Sequence, residues 1–167
     1  MMTRVLRLTA VVAVTGFFGA SGRAEDSPAA LATALKDVTA TLQGGLKASE
    51  PEGKPISAKF ELEDGKLQLS VYVLKGDDFV EVVADPKTAV AKSEKITDAD
   101  DLKAAAAQKA AMAKATVSLL AATDAAAKAN AGLRTVSIYP QLQNGHAVAE
   151  VTLLQGTTLK KVMEKLD

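Results

Sequence analysis

The sequence predicts an α+β fold made of two tandem α-β-β-β units, each a helix packed on a three-stranded antiparallel meander. Three observations predict it: an ungapped repeat at a spacing of 80 residues, strict alternation of apolar residues around two short turns, and a helical stripe ahead of each meander. Sliding the chain by 80 positions pairs Ser57 with Ser137, Leu62 with Leu142, Gly65 with Gly145, Val71 with Val151, Leu74 with Leu154, Gly76 with Gly156 and Val82 with Val162. Conservative pairs such as Ile56/Val136, Asp64/Asn144, Val73/Leu153, Phe79/Leu159 and Val83/Met163 fall between them.

In the first unit Ile56, Ala58, Phe60 and Leu62 alternate with polar residues, the period of a half-buried strand. Asp64-Gly65 supplies a two-residue turn whose geometry needs positive φ at both positions. That turn sets Leu62 against Leu67, Phe60 against Leu69, Ala58 against Val71 and Ile56 against Val73, so every inward pair is apolar. After Gly76-Asp77, the residues Val80, Val82 and Ala84 join the same face as a third strand. The second unit repeats this around Asn144-Gly145, with Val136, Ile138, Pro140 and Leu142 before the turn and Ala147, Ala149, Val151 and Leu153 after it. Pro140 has no N–H and is expected on an edge strand. The last segment, Leu159 to Leu166, fits a helical spacing too; the repeat decides for a strand.

The first helix is expected from Ser27-Pro28, along the stripe Leu31, Leu35, Val38 and Leu42, to a stop at Gly44-Gly45. The second is expected as one long alanine-rich helix from Thr97 to about Lys128, with Asp100 completing a capping box.

Residues 1–24 read as a secretory signal peptide: Arg4 and Arg7, an uncharged run from Leu8 to Ala20, then small residues, with cleavage expected between Ala24 and Glu25. The expected domains are therefore 1–24, a first unit at 25–96 and a second at 97–167. The mature form is expected to be periplasmic or extracellular, with no membrane span, since no other stretch is apolar for about 18 residues. The full chain balances 20 basic against 20 acidic residues, and removing Arg4, Arg7 and Arg23 leaves 17 against 20, or −3. Arg134 is then the only arginine, and the lysines are scattered, which excludes the basic stripe of a nucleic-acid reader. With no cysteine, disulfides and thiol chemistry are excluded.

No motif assigns a catalytic residue, a cofactor or a metal. His146 stands where the first unit has Lys66, one position past a turn, and is read as a surface side chain. Ser57 and Ser137 lie on the outward parity of their strands and are read as solvated. Asp98, Asp100 and Asp101 are accounted for by helix capping, and neither they nor Asp77-Asp78 belong to a calcium loop. Tyr72, Leu74, Phe79 and Val83, with Val148, Leu154, Leu159 and Met163 in the second unit, place apolar side chains on the parity opposite the core. Such a face calls for cover, either inside the monomer or by a partner.

The α-β-β-β order, the strand Leu69-Ser-Val-Tyr-Val73 and the segment Glu81-Val-Val-Ala-Asp-Pro-Lys-Thr-Ala-Val90 resemble a PepSY domain. In that family the third strand runs into Asp-x-x-Thr-Gly-x-Val/Ile; Asp85, Thr88 and Val90 fit, and Ala89 stands where glycine is usual. The resemblance implies an extracytoplasmic module that binds, inhibits or regulates another protein or peptide and carries no catalytic residues. Two other readings stay open at this point: a small exported hydrolase using carboxylates at the junction between units, and a structural envelope protein.

Overall fold

The computed structural model describes residues 27–167, so the expected signal peptide and the Ala24/Glu25 junction lie outside the described residues. The described residues are α+β, with four α-helices and one seven-stranded antiparallel sheet. The helices are α1 (Pro28–Leu35), α2 (Leu42–Ser49), α3 (Ala99–Met112) and α4 (Leu119–Ala129). The strands are β1 (Lys54–Glu63), β2 (Lys66–Lys75), β3 (Asp78–Ala84), β4 (Ala91–Lys95), β5 (Arg134–Gln143), β6 (His146–Gln155) and β7 (Thr158–Lys165). Their order across the sheet is β4-β3-β2-β1-β5-β6-β7.

Both hairpin turns form where the sequence puts them. Asp64 and Gly65 adopt φ of 49° and 72°, and Asn144 and Gly145 adopt 52° and 85°, the positive pair that a two-residue connection between twisted strands requires. The registers Leu62↔Leu67, Phe60↔Leu69 and Ala58↔Val71 follow from the first turn. Beyond Ser57 the expected register fails, because β1 carries a bulge: Pro55, not Ile56, faces Val73. The second meander bulges at the same place, between Thr135 and Ser137. β7 is a strand, as the repeat requires.

The two meanders are not separate sheets. β1 pairs with β5 antiparallel, Ala58 facing Ile138 and Lys59 facing Ser137. Ala58 and Ile138 are 80 residues apart, so equivalent positions of the repeat meet, which is what a local two-fold axis at the seam produces. Pro140 therefore lies on an interior strand, contrary to expectation. It is tolerated because the shared ladder is short: the described pairs stop at Ile138, and neither Pro55 on β1 nor Pro140 on β5 has an N–H to extend it.

Residues opposed across strands share a face, so the registers define rows running the width of the sheet. One row is Ser93, Val82, Val71, Ala58, Ile138, Val151 and Val162, apolar from β3 to β7. The next is Lys92, Val83, Ser70, Lys59, Ser137, Thr152 and Lys161, largely polar. α2 covers the apolar face, where its Gly45 sits so close to Leu69 that an added Cβ would lie 2.3 Å from a Leu69 methyl. α4 packs beside α2 on the same face. α3 lies across the opposite face, packing on β1, β5 and β6. Small side chains make that close approach possible, with Ala105 and Ala111 of α3 fully buried and Ser57 and Ser70 buried in the sheet.

Two helix expectations are corrected. The first helix stops at Leu35, and a second starts at Leu42 with Thr41 as its cap; Gly44-Gly45 lies inside α2 rather than ending α1. Gly45 serves contact with Leu69, which a larger residue there would block, while Gly44 lies against the Thr41 hydroxyl. The long helix is likewise two, broken between Met112 and Leu119. In the break Thr116 and Val117 donate their N–H groups to Leu166 O at 2.6 and 2.9 Å, and Ser118 caps α4. The cap of α3 is Asp98, whose carboxylate accepts from the N–H groups of Asp100 and Asp101, not Thr97. β4 was not legible as a strand.

Candidate binding edge

A sheet of seven strands has two outer edges, and they differ. β4 is five residues long, every side chain is exposed, and it carries Lys92, Glu94 and Lys95, the last paired with Asp78 at 2.7 Å. A short charged edge discourages further pairing. β7 is eight residues long and pairs only with β6 among the described residues.

The phase of the β6–β7 ladder shows which backbone groups of β7 remain open. Leu166 N donates to Ala147 O at 2.9 Å, and the turn closes on the pair Gln155↔Thr158. Backbone groups of successive residues point to opposite sides of a strand. Thr158, Lys160, Val162 and Glu164 therefore bond to β6, while Leu159, Lys161, Met163 and Lys165 aim both N–H and C=O outward. The open run ends at Leu166, whose carbonyl is taken by Thr116 and Val117. Leu159 and Met163 are 43 % and 44 % exposed, and both share the face of Lys161 and Lys165. Lys161 pairs with Glu150 at 2.7 Å, and Lys160, on the other face, donates to Asn130 Oδ1 at 2.6 Å.

Clefts lie elsewhere among the described residues. One of about 410 Å³ opens between α2, the start of β1 and the α3–α4 connection, lined by Leu46, Glu50, Lys54, Met112, Val117 and Leu120 among others. A second of about 200 Å³, beside α2, is lined mainly by small apolar residues, including Gly44, Gly45, Val82 and Ala89. The third, of about 420 Å³, runs past Val38, Gln43, Ala127 and Arg134.

The residues singled out in the sequence are not gathered at one site. Tyr72 is only 6 % exposed; burial, reinforced by Glu81 and by Asp101 of α3, pushes its ionisation far up. Leu74, Phe79 and Val83 are half-buried, and Lys109 of α3 sits 5.9 Å above the Phe79 ring. Val148 and Leu154 are buried, whereas their neighbours Leu159 and Met163 are exposed at the edge. Ser57 is buried on the face that α3 covers, so its expected solvation is corrected; Ser137 is half-buried on the same face.

Beside Tyr72, the Ser70 hydroxyl donates to Glu81 Oε1. Burial raises the Glu81 acid above the usual carboxylate range against the opposing pull of that hydrogen bond. Lys59 pairs with Glu61, which also accepts from Gln68 Nε2 at 3.0 Å. In the second meander the positions of Ser70 and Glu81 hold Glu150 and Lys161, which form the ion pair noted above. His146 is exposed, with Nδ1 2.9 Å from Asp167 Oδ2; that contact and the Ala147 N–H hold the Asp167 carboxyl below its ordinary range. Among the described residues no group of three or more acid, His or Cys side chains is placed to hold a metal ion. No helix among them is long and apolar enough to cross a membrane.

The segment behind the PepSY resemblance is a closed turn. Asp85 Oδ1 accepts from Lys87 N and Thr88 N at 2.8 and 3.1 Å, Asp85 N donates to Val90 O, and Ala89 N donates to Asp85 O. Ala89 sits at φ 58°, in the left-handed region that favours glycine. In comparisons with family models, curated proteins and solved structures, nothing matches the chain.

Proposed function

We propose that the chain is an exported, non-catalytic binding module of the PepSY-like kind, built by duplication of one α-β-β-β unit, that takes up an extended segment of another protein along β7. The observation that carries this reading is the free edge of β7. Four residues in a row of alternating positions, Leu159, Lys161, Met163 and Lys165, offer paired backbone donors and acceptors, which is the template used when a sheet gains a strand from a partner. The half-exposed Leu159 and Met163 supply side-chain contact beside that template.

Duplication is supported by β1, β2 and their bulge recurring 80 residues later as β5 and β6. The PepSY-like reading rests on the Asp85 turn, whose left-handed position falls where that family usually has glycine. Export rests on residues 1–24. A hydrolase working through carboxylates, as glycosidases do, would use two that face each other. The cleft between α2, β1 and the α3–α4 connection instead presents Glu50 with Lys54, which favours binding.

The test is capture from an envelope extract by the mature protein and by Met163→Pro. The N–H of Met163 points away from β6, so proline there removes an outward donor while leaving the β6–β7 ladder intact. Loss of the captured protein at an unchanged denaturation midpoint is expected. Equal capture by both forms would refute edge addition, and a self-associated protein that captures nothing would favour a structural envelope role.

A further inference from the structure

β7 departs in charge from the chain that carries it. The full sequence balances 20 basic with 20 acidic residues, yet β7 holds Lys160, Lys161 and Lys165 against Glu164 alone. On the face opposite α2 its side chains run Leu159, Lys161, Met163, Lys165: apolar, basic, apolar, basic. A strand added at this edge sets one side chain beside each of them, and directly opposed cross-strand pairs are where sheet preferences are expressed.

Resting on the proposed edge addition, we infer that the partner segment is an acidic extended strand, with apolar and carboxylate residues alternating on the face it shares with Leu159 to Lys165. Its carboxylates then meet Lys161 and Lys165 and its apolar residues meet Leu159 and Met163. Glu150 steadies Lys161 from within the sheet without blocking the outward backbone groups, which point along the hydrogen-bonding direction rather than off the face. A second copy of the chain fits this face less well. Paired antiparallel about Val162, two β7 strands would set Lys161 against Met163 and Lys165 against Leu159, so that neither lysine faces a carboxylate across the new seam.

The experiment uses the mature chain and two synthetic eight-residue probes of threonine alternating with a second series. In one probe that series is valine, glutamate, valine, glutamate; in the other lysine replaces glutamate. Binding is followed by fluorescence anisotropy, and the free protein by sedimentation. The acidic probe is expected to bind at least about tenfold more tightly, a difference that added salt reduces as screening predicts. That preference should vanish in the double variant Lys161→Glu/Lys165→Glu, and Met163→Pro should abolish binding of both probes. Equal binding of the two probes, both lost in Met163→Pro, would overturn the acidic specificity while leaving edge addition standing. Binding of the acidic probe that survives Met163→Pro would overturn both. A dimer that Met163→Pro dissociates, with no binding of either probe, would assign the edge to a second copy and overturn the inference. So would a monomer that binds neither probe.

Discussion

Replacing Arg134 with alanine is expected to cost about 3 kcal/mol, more than any other exposed or half-exposed charge in the chain should. The guanidinium forks across the break between α1 and α2: Nη1 donates to Leu35 O at 2.9 Å, at the end of α1, and Nη2 donates to Ala40 O at 2.6 Å, just before the Thr41 cap. Its Cζ lies 5.3 Å from the centre of the Phe60 ring. Hydrogen bonds from a charged donor contribute up to about 1.5–3 kcal/mol each. Arg134 is only half-buried and water can reach the freed carbonyls, so about 1 kcal/mol each is the fitting figure here. The ring contact adds about 0.5–1 kcal/mol, and loss of the packed stem supplies the remainder. Arg134→Lys keeps the charge but reaches only one carbonyl, so about half the loss should persist. Urea denaturation measures both variants against the parent, and a 3 kcal/mol loss lowers the thermal midpoint by about 6–12 °C for a chain of this size. An alanine variant within about 0.5 kcal/mol of the parent, or a lysine variant equal to it, would refute the reasoning.

Two further expectations concern single residues. Ala89→Gly relieves a left-handed alanine whose side chain is exposed, and after the entropy that glycine adds to the unfolded chain it should stabilise the protein by about 0.5–1 kcal/mol; a lower urea midpoint would count against the strain. Glu81 has its acid raised by burial, with Glu61 and Asp101 adding to the shift and Ser70 and Lys59 opposing it. The folded state therefore holds that proton more tightly than the unfolded state, and stability is lost as pH rises from the ordinary carboxylate range through the raised value. Glu81→Gln removes this component, so the variant should gain on the parent as pH rises above the ordinary carboxylate range. A difference that stays constant with pH would show that Glu81 is not the group responsible.

The parts of the fold legible in the sequence are those where a local signal and a burial signal agree. Asp64-Gly65 and Asn144-Gly145 fixed two turns because nothing else satisfies positive φ at both positions so readily, and the apolar alternation beside them selected the register. Where one signal was missing, the reading failed. β4 has no buried side chain, so Lys92-Ser93-Glu94-Lys95 carries no periodicity, and it is a strand only because β3 offers an edge. The helix breaks were hidden for the opposite reason. Alanine-rich sequence propagates a helix with no stop of its own, and the stop between α3 and α4 comes from Leu166, distant in sequence, accepting the N–H groups of Thr116 and Val117. The bulges escaped notice because Ile56 and Val136 continue an apolar alternation that the backbone interrupts.

The location of the open edge follows from the same topology. Two three-stranded meanders have four outer strands between them: β1, β3, β5 and β7. Joining β1 to β5 at the seam removes two of those edges, and the core gains a continuous apolar row from Val82 to Val162. β4 then takes the edge of β3, between the first meander and α3, and ends the sheet on that side with exposed, mostly charged residues. No described segment does the same for β7. Leu159 and Met163 were visible in the sequence as members of an outward-facing apolar series, together with Tyr72, Leu74, Phe79 and Val83. What separates them from the rest is α3, whose Lys109 sits over the Phe79 ring on the side where Tyr72 is buried, while Leu159 and Met163 stay 43 % and 44 % exposed at the edge. The apolar series was thus one pattern with two fates, and the placement of a single helix decides which members remain at the surface.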